Sequence, residues 1–130
     1  MWDVIEHLPS PTASLRRVHR WMKPGAYLFL VTPDVGSLFA RMCGSRWPHL
    51  IRQHLYYFDR FSLNDLLVKT GFETVVCRTY TRRFKIGYVL RRAGMVPERF
   101  ASAFERLRLA QARIPLNVGD AMFVVARKAE

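Results

Sequence analysis

The sequence predicts an α/β fold in which helices flank a small sheet. Helical and strand-like patterns alternate along the 130 residues, which is the order expected of such a sheet. One strand-like stretch is apolar at nearly every position, as in strands that helices cover on both faces. Half of the residues are hydrophobic and 13% are aromatic, which is enough for a core and excludes a disordered segment.

The first helix begins at Ser10 and Pro11. Serine is a favoured N-cap, and proline at the first helical position loses no hydrogen bond. Apolar residues then recur at helical spacing, at Leu15, Val18 and Met22. The dipeptide at 24–25 is Pro-Gly, which ends the helix.

The apolar run over 26–32 predicts a central strand that is almost fully buried. Residues 72–80, rich in β-branched and aromatic side chains, predict a second strand, and 121–127 predict a third. We expect the later two strands to lie on either side of the first. Three strands make a thin sheet for an α/β fold, so the sequence resembles the second half of a larger one.

Between the first two strands, the stretch 35–59 has no regular period and predicts a functional loop with a short helix over 37–42. Ser62 and Asp65 predict the capping box of the next helix, which Gly71 ends. Asp34 follows the first strand as a turn residue that can also border a crevice. A further helix is predicted over 98–113, opened by Pro97, with an apolar stripe at Phe100, Phe104 and Leu107. A turn over 117–120 precedes the last strand.

The formal net charge of +11 favours anionic partners such as nucleic acid or anionic lipid. The arginines are scattered, however, and solvated helix faces account for most of them. The two cysteines show no metal-binding spacing, and no run approaches the roughly 20 apolar residues of a membrane span. The first residues lack the basic start of a signal peptide, so we expect a cytoplasmic protein.

An ordered set of motifs covers essentially the whole chain. It comprises the segment Trp-Asp-Val-Ile-Glu-His-Leu-Pro at 2–9, Lys-Pro-Gly at 23–25, Thr-Pro-Asp at 32–34, Gln-His-Leu-Tyr-Tyr-Phe at 53–58, Thr-Gly-Phe at 70–72 and Pro-Leu-Asn-Val-Gly-Asp at 115–120. This order resembles the C-terminal half of class I S-adenosylmethionine-dependent methyltransferases, and is similar to the ubiquinone-biosynthesis O-methyltransferases and the general methyltransferase-domain group. The resemblance implies a Rossmann-like sheet whose last strand is antiparallel to its neighbours, and methyl transfer to a small-molecule acceptor.

Two family features have no counterpart in these residues: the glycine-rich loop after the first strand and the acidic residue that holds the cofactor ribose. None of the seven glycines lies in a GxGxG or GxGxxG pattern. We therefore expect residues 1–130 to form a single partial methyltransferase domain that is inactive alone, with S-adenosylmethionine as the cofactor implied by the resemblance. The missing strands would leave an exposed sheet edge through which the chain self-associates.

Asp3, Glu6 and His7 are the predicted catalytic residues, because they follow the family's fourth strand at the edge where open α/β sheets bind ligands. His7 has the pKa range of a general base. The three side chains alternatively bind a divalent cation, or they order the loop by hydrogen bonding. The sequence alone does not decide among these three roles, and it identifies no definite metal ligand. The resemblance places Trp2 and Asp3 beside the cofactor.

The stretch around His54 is the second candidate site. The resemblance places it near the acceptor pocket, so His54 would contact substrate, with Tyr56 and Tyr57 as walls and Trp47 as a lid anchor. A buried aromatic core segment is the alternative. We expect Asp3, Glu6, His7 and His54 to cluster around one crevice at the carboxyl edge of the sheet.

A different function class is a basic binding module for nucleic acid or an anionic lipid surface. No stretch interleaves basic and aromatic residues as RNA-binding sheets do, and no helix-turn-helix pattern occurs, which disfavours nucleic acid. The helix over 98–113 has the composition of a weak membrane-surface helix, although packing on the sheet explains its stripe equally well.

Overall fold

The computed structural model describes residues 1–85, 113–116 and 119–129. The elements are, in chain order, α1 (Pro11–Trp21), β1 (Tyr27–Pro33), α2 (Leu38–Cys43), α3 (Arg60–Lys69), β2 (Phe72–Thr79), β3 (Arg82–Lys85), β4 (Arg113–Leu116) and β5 (Ala121–Lys128). Short 3-10 turns occupy Ile5–His7 and Gly44–Arg46. The chain divides into two compact units, Met1–Tyr80 with Val118–Glu130 and Thr81–Asn117.

The first unit holds a three-stranded sheet in the order β1, β5, β2, and β5 is antiparallel to both neighbours. Val124 of β5 lies opposite Leu30 of β1 and opposite Cys77 of β2. The predicted α/β class and the antiparallel last strand are confirmed, and the three predicted strands lie within one residue of the observed bounds.

The prediction that β1 is the central strand is wrong, because β5 lies between β1 and β2. The burial of β1 is also incomplete: Tyr27 is 53% exposed and Phe29 is 47% exposed, whereas Leu28 and Leu30 are buried. An apolar run shows that a strand is mostly buried, but it does not show which of the three strands lies between the other two.

Helices α1 and α3 explain the uneven burial of β1. Alternate residues of a strand point to opposite faces of the sheet. On one face, the core combines side chains from both helices and all three strands, among them Leu15, Leu30, Leu67, Phe72 and Val124. Tyr27 and Phe29 point to the other face, which these two helices do not cover.

The ends of α1 agree with the sequence, whereas the start of α3 does not. Ser10 caps α1, with its Oγ accepting from the amide of Ala13 at 3.4 Å. Helix α3 begins earlier than predicted, because Asp59 is its N-cap and Ser62 closes a reciprocal capping box. Asp59 has the extended backbone that a cap requires, while Asp65 instead pairs with Lys69 within the helix.

Strands β3 and β4 pair antiparallel in the second unit and were not expected from the sequence. Arg113, the predicted last residue of a helix, is the first residue of β4. The rest of the helix predicted over 98–113 and the first half of the turn over 117–120 lie outside the described residues. Within the described ranges, no helix has both the length and the apolarity to cross a membrane.

Candidate functional site

The residues before α1 extend the sheet beside β1. The amide of Val31 donates to the carbonyl of Met1, and the carbonyl of Val31 accepts from the amide of Asp3, both at 2.9 Å. Trp2 thereby forms a parallel bridge with Val31. The following 3-10 turn buries Ile5 in the core. Glu6 and His7 are consequently held beside the carboxyl end of β1.

A second segment, from the loop after β1, is tied to this turn through its backbone. The amides of Leu55 and Tyr56 both donate to the carbonyl of Glu6, at 2.8 and 3.2 Å. Phe58 forms a parallel bridge with Asp34, just past the end of β1. These contacts bring His54 next to the turn that carries Glu6 and His7.

Glu6, His7 and His54 form one cluster, the Glu-His-His cluster. The rings of His7 and His54 lie 4.7 Å apart between centroids at an interplanar angle of 69°. One side-chain ligand atom from each residue lies within 4.8 Å of the other two. The sequence predicts this meeting of distant residues, except that Asp3 is not part of the cluster.

The carboxylate of Glu6 is buried, with a residue exposure of 1%. Its Oε2 accepts a hydrogen bond from the hydroxyl of Thr32 at 3.0 Å. Its Oε1 and the Nδ1 of His54 are both buried and have no hydrogen-bonding partner among the described residues. Buried polar atoms in proteins are rarely left unpaired, so two such atoms in one cluster indicate a site.

The pKa of His54 lies below its ordinary value, chiefly because burial disfavours the charged imidazolium, although the carboxylate of Glu6 acts in the opposite direction. His54 is therefore neutral at physiological pH. A neutral imidazole offers a lone pair to a proton or to a metal ion.

His49 and Asp120 continue the cluster along the sheet edge. The ring of His49 stacks on that of His54, with centroids 6.1 Å apart. Asp120 lies next to β5, and its Oδ2 is 3.4 Å from Nε2 of His49 and accepts from the indole N–H of Trp47 at 3.3 Å. Burial tends to raise the pKa of Asp120, but the hydrogen bonds from His49 and Trp47 hold it below its ordinary value.

The predicted aromatic walls have different environments. Trp47 is only 3% exposed and anchors the loop through Asp120, which leaves little of its ring for a substrate. Tyr56 and Tyr57 are 41% and 38% exposed, and their hydroxyls donate to the carbonyls of Pro9 and Ile51. The two tyrosine rings are thus held in place while remaining accessible.

Trp2 and Asp3, the residues predicted to lie beside the cofactor, precede the Glu-His-His cluster in the sequence. Trp2 is 51% exposed and contacts the rings of Tyr80 and Phe123. Asp3 has a left-handed backbone, with a φ of 48°. This conformation is uncommon outside glycine and turns the chain out of the strand toward the Glu-His-His cluster.

A separate polar cavity of about 320 Å³ lies farther along the same sheet edge, lined by residues that include Ser37, Arg41 and Thr79. The buried carboxylate of Asp34 also lines it and pairs with Nε of Arg60 at 3.3 Å. The backbone amide of Gly36 donates to Asp34 as well, so Asp34 acts as the predicted turn residue and also borders a crevice.

The sequence did not reveal Thr32, His49 and Asp120 as parts of the site. Two signals were available. Thr32 carries a hydroxyl in an otherwise apolar strand. Three of the chain's four histidines, His7, His49 and His54, lie in the two segments that the sequence predicts to form the site. The link from Asp120 to the loop had no signal in the sequence, because it depends on β5 being the central strand.

The sequence model of a family described as a methyltransferase domain matches residues 1–77, which include the whole Glu-His-His cluster. No curated protein matches the sequence at a significant level.

Solved structures of methyltransferases share the fold. An S-adenosylmethionine-dependent methyltransferase of Thermotoga maritima has a TM-score of 0.59 and 20% identity over 100% of this chain and 54% of its own. One from Methanosarcina mazei has a TM-score of 0.52 and 17% identity, over 99% of this chain and 57% of its own. A Bacillus halodurans protein assigned as a methyltransferase has a TM-score of 0.56 and 15% identity, over 99% of this chain and 62% of its own.

The chain therefore spans between 54% and 62% of the length of these structures. At such identities the likeness shows the fold. The alternative of a basic binding module receives no support from these comparisons.

Proposed function

The chain belongs to the methyltransferase domain family, and from this premise we propose that it forms the acceptor side of an S-adenosylmethionine-dependent methyl transfer to a small molecule. The observation that carries the proposal is the convergence of Glu6, His7 and His54 at the carboxyl end of β1. Ligands of open α/β sheets bind outside the carboxyl ends of the strands, which is where this cluster lies.

The described residues do not form a complete cofactor site. A cofactor cradle requires glycines where the backbone approaches the ligand closely. None of the seven glycines in the sequence lies in a GxGxG or GxGxxG pattern. Trp2 and Asp3 are the residues that we propose to face the cofactor, and the remaining contacts would come from elsewhere.

The part proposed for this chain is to bind the acceptor and to prepare its nucleophile. The methyl group of a sulfonium is displaced in line, so the protein mainly positions the acceptor and removes its proton where it has one. The neutral imidazole of His54, with its buried and unpaired Nδ1, is placed to accept such a proton. The carboxylate of Glu6 lies beside it to stabilise the resulting charge. The partly exposed ring of Tyr57, 6.0 Å from that of His54, would wall the acceptor.

The test is transfer of labelled methyl from S-adenosylmethionine to a panel of small hydroxyl, amine and thiol compounds. It uses the product of the longest open reading frame that encodes this chain. We expect His54→Gln to lower kcat/KM by at least about a hundredfold, as loss of a proton-transfer group does. His19→Gln is the matched control, because His19 packs on Phe72 away from the cluster. Absence of any methylated product, or equal losses in the two variants, would overturn the proposal.

A further inference from the structure

We propose that the polar cavity beyond the end of β1 binds a small molecule in which an anionic group, such as a phosphate, is joined to an apolar body. The cavity holds about 320 Å³, which suits a small ligand, since ligand sites in proteins span about 300 to 1,000 Å³. None of the three residues of the Glu-His-His cluster lines it. Binding in this cavity can therefore be measured whether or not the chain takes part in methyl transfer.

Unused hydrogen-bond donors in the cavity indicate the charge of the ligand. Arg41 of α2 lines the cavity, and its guanidinium makes no ion pair or hydrogen bond with another described residue. A guanidinium carries five N–H donors and no acceptor, so its partners are oxygen-rich groups or water. Arg60 also lines the cavity and donates through Nε and Nη2 alone, to Asp34 and Thr79. The remaining donors of both arginines are available to an anion.

The contacts of Arg60 hold its guanidinium in one orientation. Its Nε–H donates to the buried carboxylate of Asp34 at 3.3 Å, and Nη2 donates to the hydroxyl of Thr79 at 2.9 Å. Because the guanidinium is planar, these two bonds fix its plane and the direction of its other N–H groups. A guanidinium that is already held in place loses less entropy when it binds the oxygens of a phosphate or carboxylate.

The acidic residues of the cavity already have donors within the chain. Both carboxylate oxygens of Asp34 are used, because Oδ1 accepts from the amide of Gly36 at 3.0 Å and Oδ2 accepts from Arg60. Oδ1 of Asp59 accepts from the amide and the hydroxyl of Ser62, both at 2.7 Å. The cavity therefore offers mainly N–H and O–H donors, which favours a ligand rich in acceptor oxygens.

The wall of the cavity between β1 and α3 is held close by Gly36. An added Cβ at this position would lie 2.9 Å from Cβ of Asp59 and 3.2 Å from Oδ1 of Asp34. Any larger residue would thus push the turn after β1 away from the start of α3. The parallel bridge between Asp34 and Phe58 holds the same two segments together. The cavity consequently has its shape before a ligand binds.

Two exposed apolar side chains at the cavity indicate that the ligand also has an apolar body. Leu38 is 74% exposed and Phe61 is 87% exposed, and both line the cavity, one from α2 and the other from α3. Exposed apolar side chains grouped around a polar site are typical of surfaces that a ligand covers. A bare anion would leave both side chains in water, whereas a ligand with an apolar body would cover them.

The test titrates the purified 130-residue chain with phenyl phosphate, inorganic phosphate and phenol, and follows the backbone amide signals by nuclear magnetic resonance. We expect phenyl phosphate to shift the signals of Gly36, Ser37 and Thr79, which line the cavity. It should bind more tightly than the other two probes, because it alone supplies both the anion and the apolar body. Added salt should weaken its binding, since salt screens exposed charges.

Three substitutions give the test its sign. Arg41→Gln removes a charge and its donors from the cavity, and we expect it to weaken binding of phenyl phosphate by about three- to tenfold. Arg46→Gln is the matched control, because it removes the same charge from the exposed turn after α2 but does not line the cavity. Asp59→Asn should instead strengthen binding by about threefold, because it removes a like charge from the cavity and keeps a good N-cap.

Circular dichroism of every variant separates loss of the site from loss of the fold. The proposal is overturned if phenyl phosphate shifts no signal at the cavity, or if Arg41→Gln and Arg46→Gln have equal effects. Phenol that binds as tightly as phenyl phosphate would contradict the anionic group, and inorganic phosphate that does so would contradict the apolar body. None of these results bears on methyl transfer, which the labelled-methyl assay measures separately.

Discussion

Nε2 of His49 lies 3.4 Å from Oδ2 of Asp120, and this contact ties the loop after β1 to the residue that precedes β5. The same carboxylate oxygen accepts from the buried indole of Trp47. The backbone carbonyl of Asp120 also accepts from the amide of Asp34 at 2.9 Å. Asp120 is therefore the point at which the loop, the end of β1 and the central strand meet.

Asp120→Ala should destabilise the chain and loosen the loop that carries His54. Loss of the carboxylate leaves the buried N–H of Trp47 unpaired, at a cost of about 1 to 3 kcal/mol in the free energy of unfolding. Urea unfolding followed by tryptophan fluorescence measures this loss.

Glu73→Ala is the matched control, because the ion pair of Glu73 with Arg127 is exposed and such pairs contribute about 0 to 1 kcal/mol. Equal stability losses in the two variants would show that the Asp120 contacts do not hold the loop.

Asp59→Ala should destabilise helix α3 by about 1 kcal/mol, because it removes the carboxylate that accepts from the backbone amide of Ser62. Asp65→Ala, which removes only the exposed pair with Lys69, should cost about 0.3 to 0.5 kcal/mol. Chemical denaturation of both variants gives the comparison. If Asp65→Ala proves the more harmful, the helix begins where the sequence alone suggested.

Acid should destabilise the fold through Asp59 and Asp120. Hydrogen bonds from the amide and hydroxyl of Ser62 lower the pKa of Asp59, and the pKa of Asp120 is also lowered. Because both folded-state values lie below the ordinary 3.8, the unfolded chain binds more protons in this range. The stabilisation is present above the unfolded-state pKa and is lost as the pH falls through the folded-state values.

Urea midpoints between about pH 6 and pH 3 test this dependence. Asp59→Asn keeps a good N-cap but cannot titrate, so its midpoint should fall less steeply with acid than that of the unsubstituted chain. A variant that follows the same curve would place the acid sensitivity in other groups.

The sequence predicted local features well because their causes are local. Ser10 and Pro11 start a helix and Gly71 ends one, since their backbone preferences do not depend on the rest of the fold. The order of the strands was missed because pairing depends on contacts between distant segments. The apolar run of β1 gave no sign that Phe29 lies on a face that α1 and α3 leave uncovered.

The candidate site was predicted in part for a similar reason. The family resemblance predicts that Glu6, His7 and His54 lie together, because the order of the motifs carries the topology. It did not include Thr32, whose hydroxyl meets Glu6 only through the pairing of residues 1–3 with β1. The self-association expected at an exposed sheet edge stays a prediction.

The 130-residue chain alone should bind S-adenosylmethionine only weakly. Its seven glycines include no glycine-rich loop that would let a backbone approach the cofactor, and Trp2 and Asp3 alone cannot replace those contacts. Each missing hydrogen bond is worth about 0.5 to 1.5 kcal/mol, so the loss of four weakens binding by roughly two orders of magnitude or more. Calorimetric titration of the folded, monomeric chain should give no heat of binding at micromolar cofactor, with circular dichroism to show that the preparation is folded. Micromolar affinity for S-adenosylmethionine would contradict this expectation; Trp2→Ala would then show whether the half-exposed indole at the start of the sheet belongs to the site.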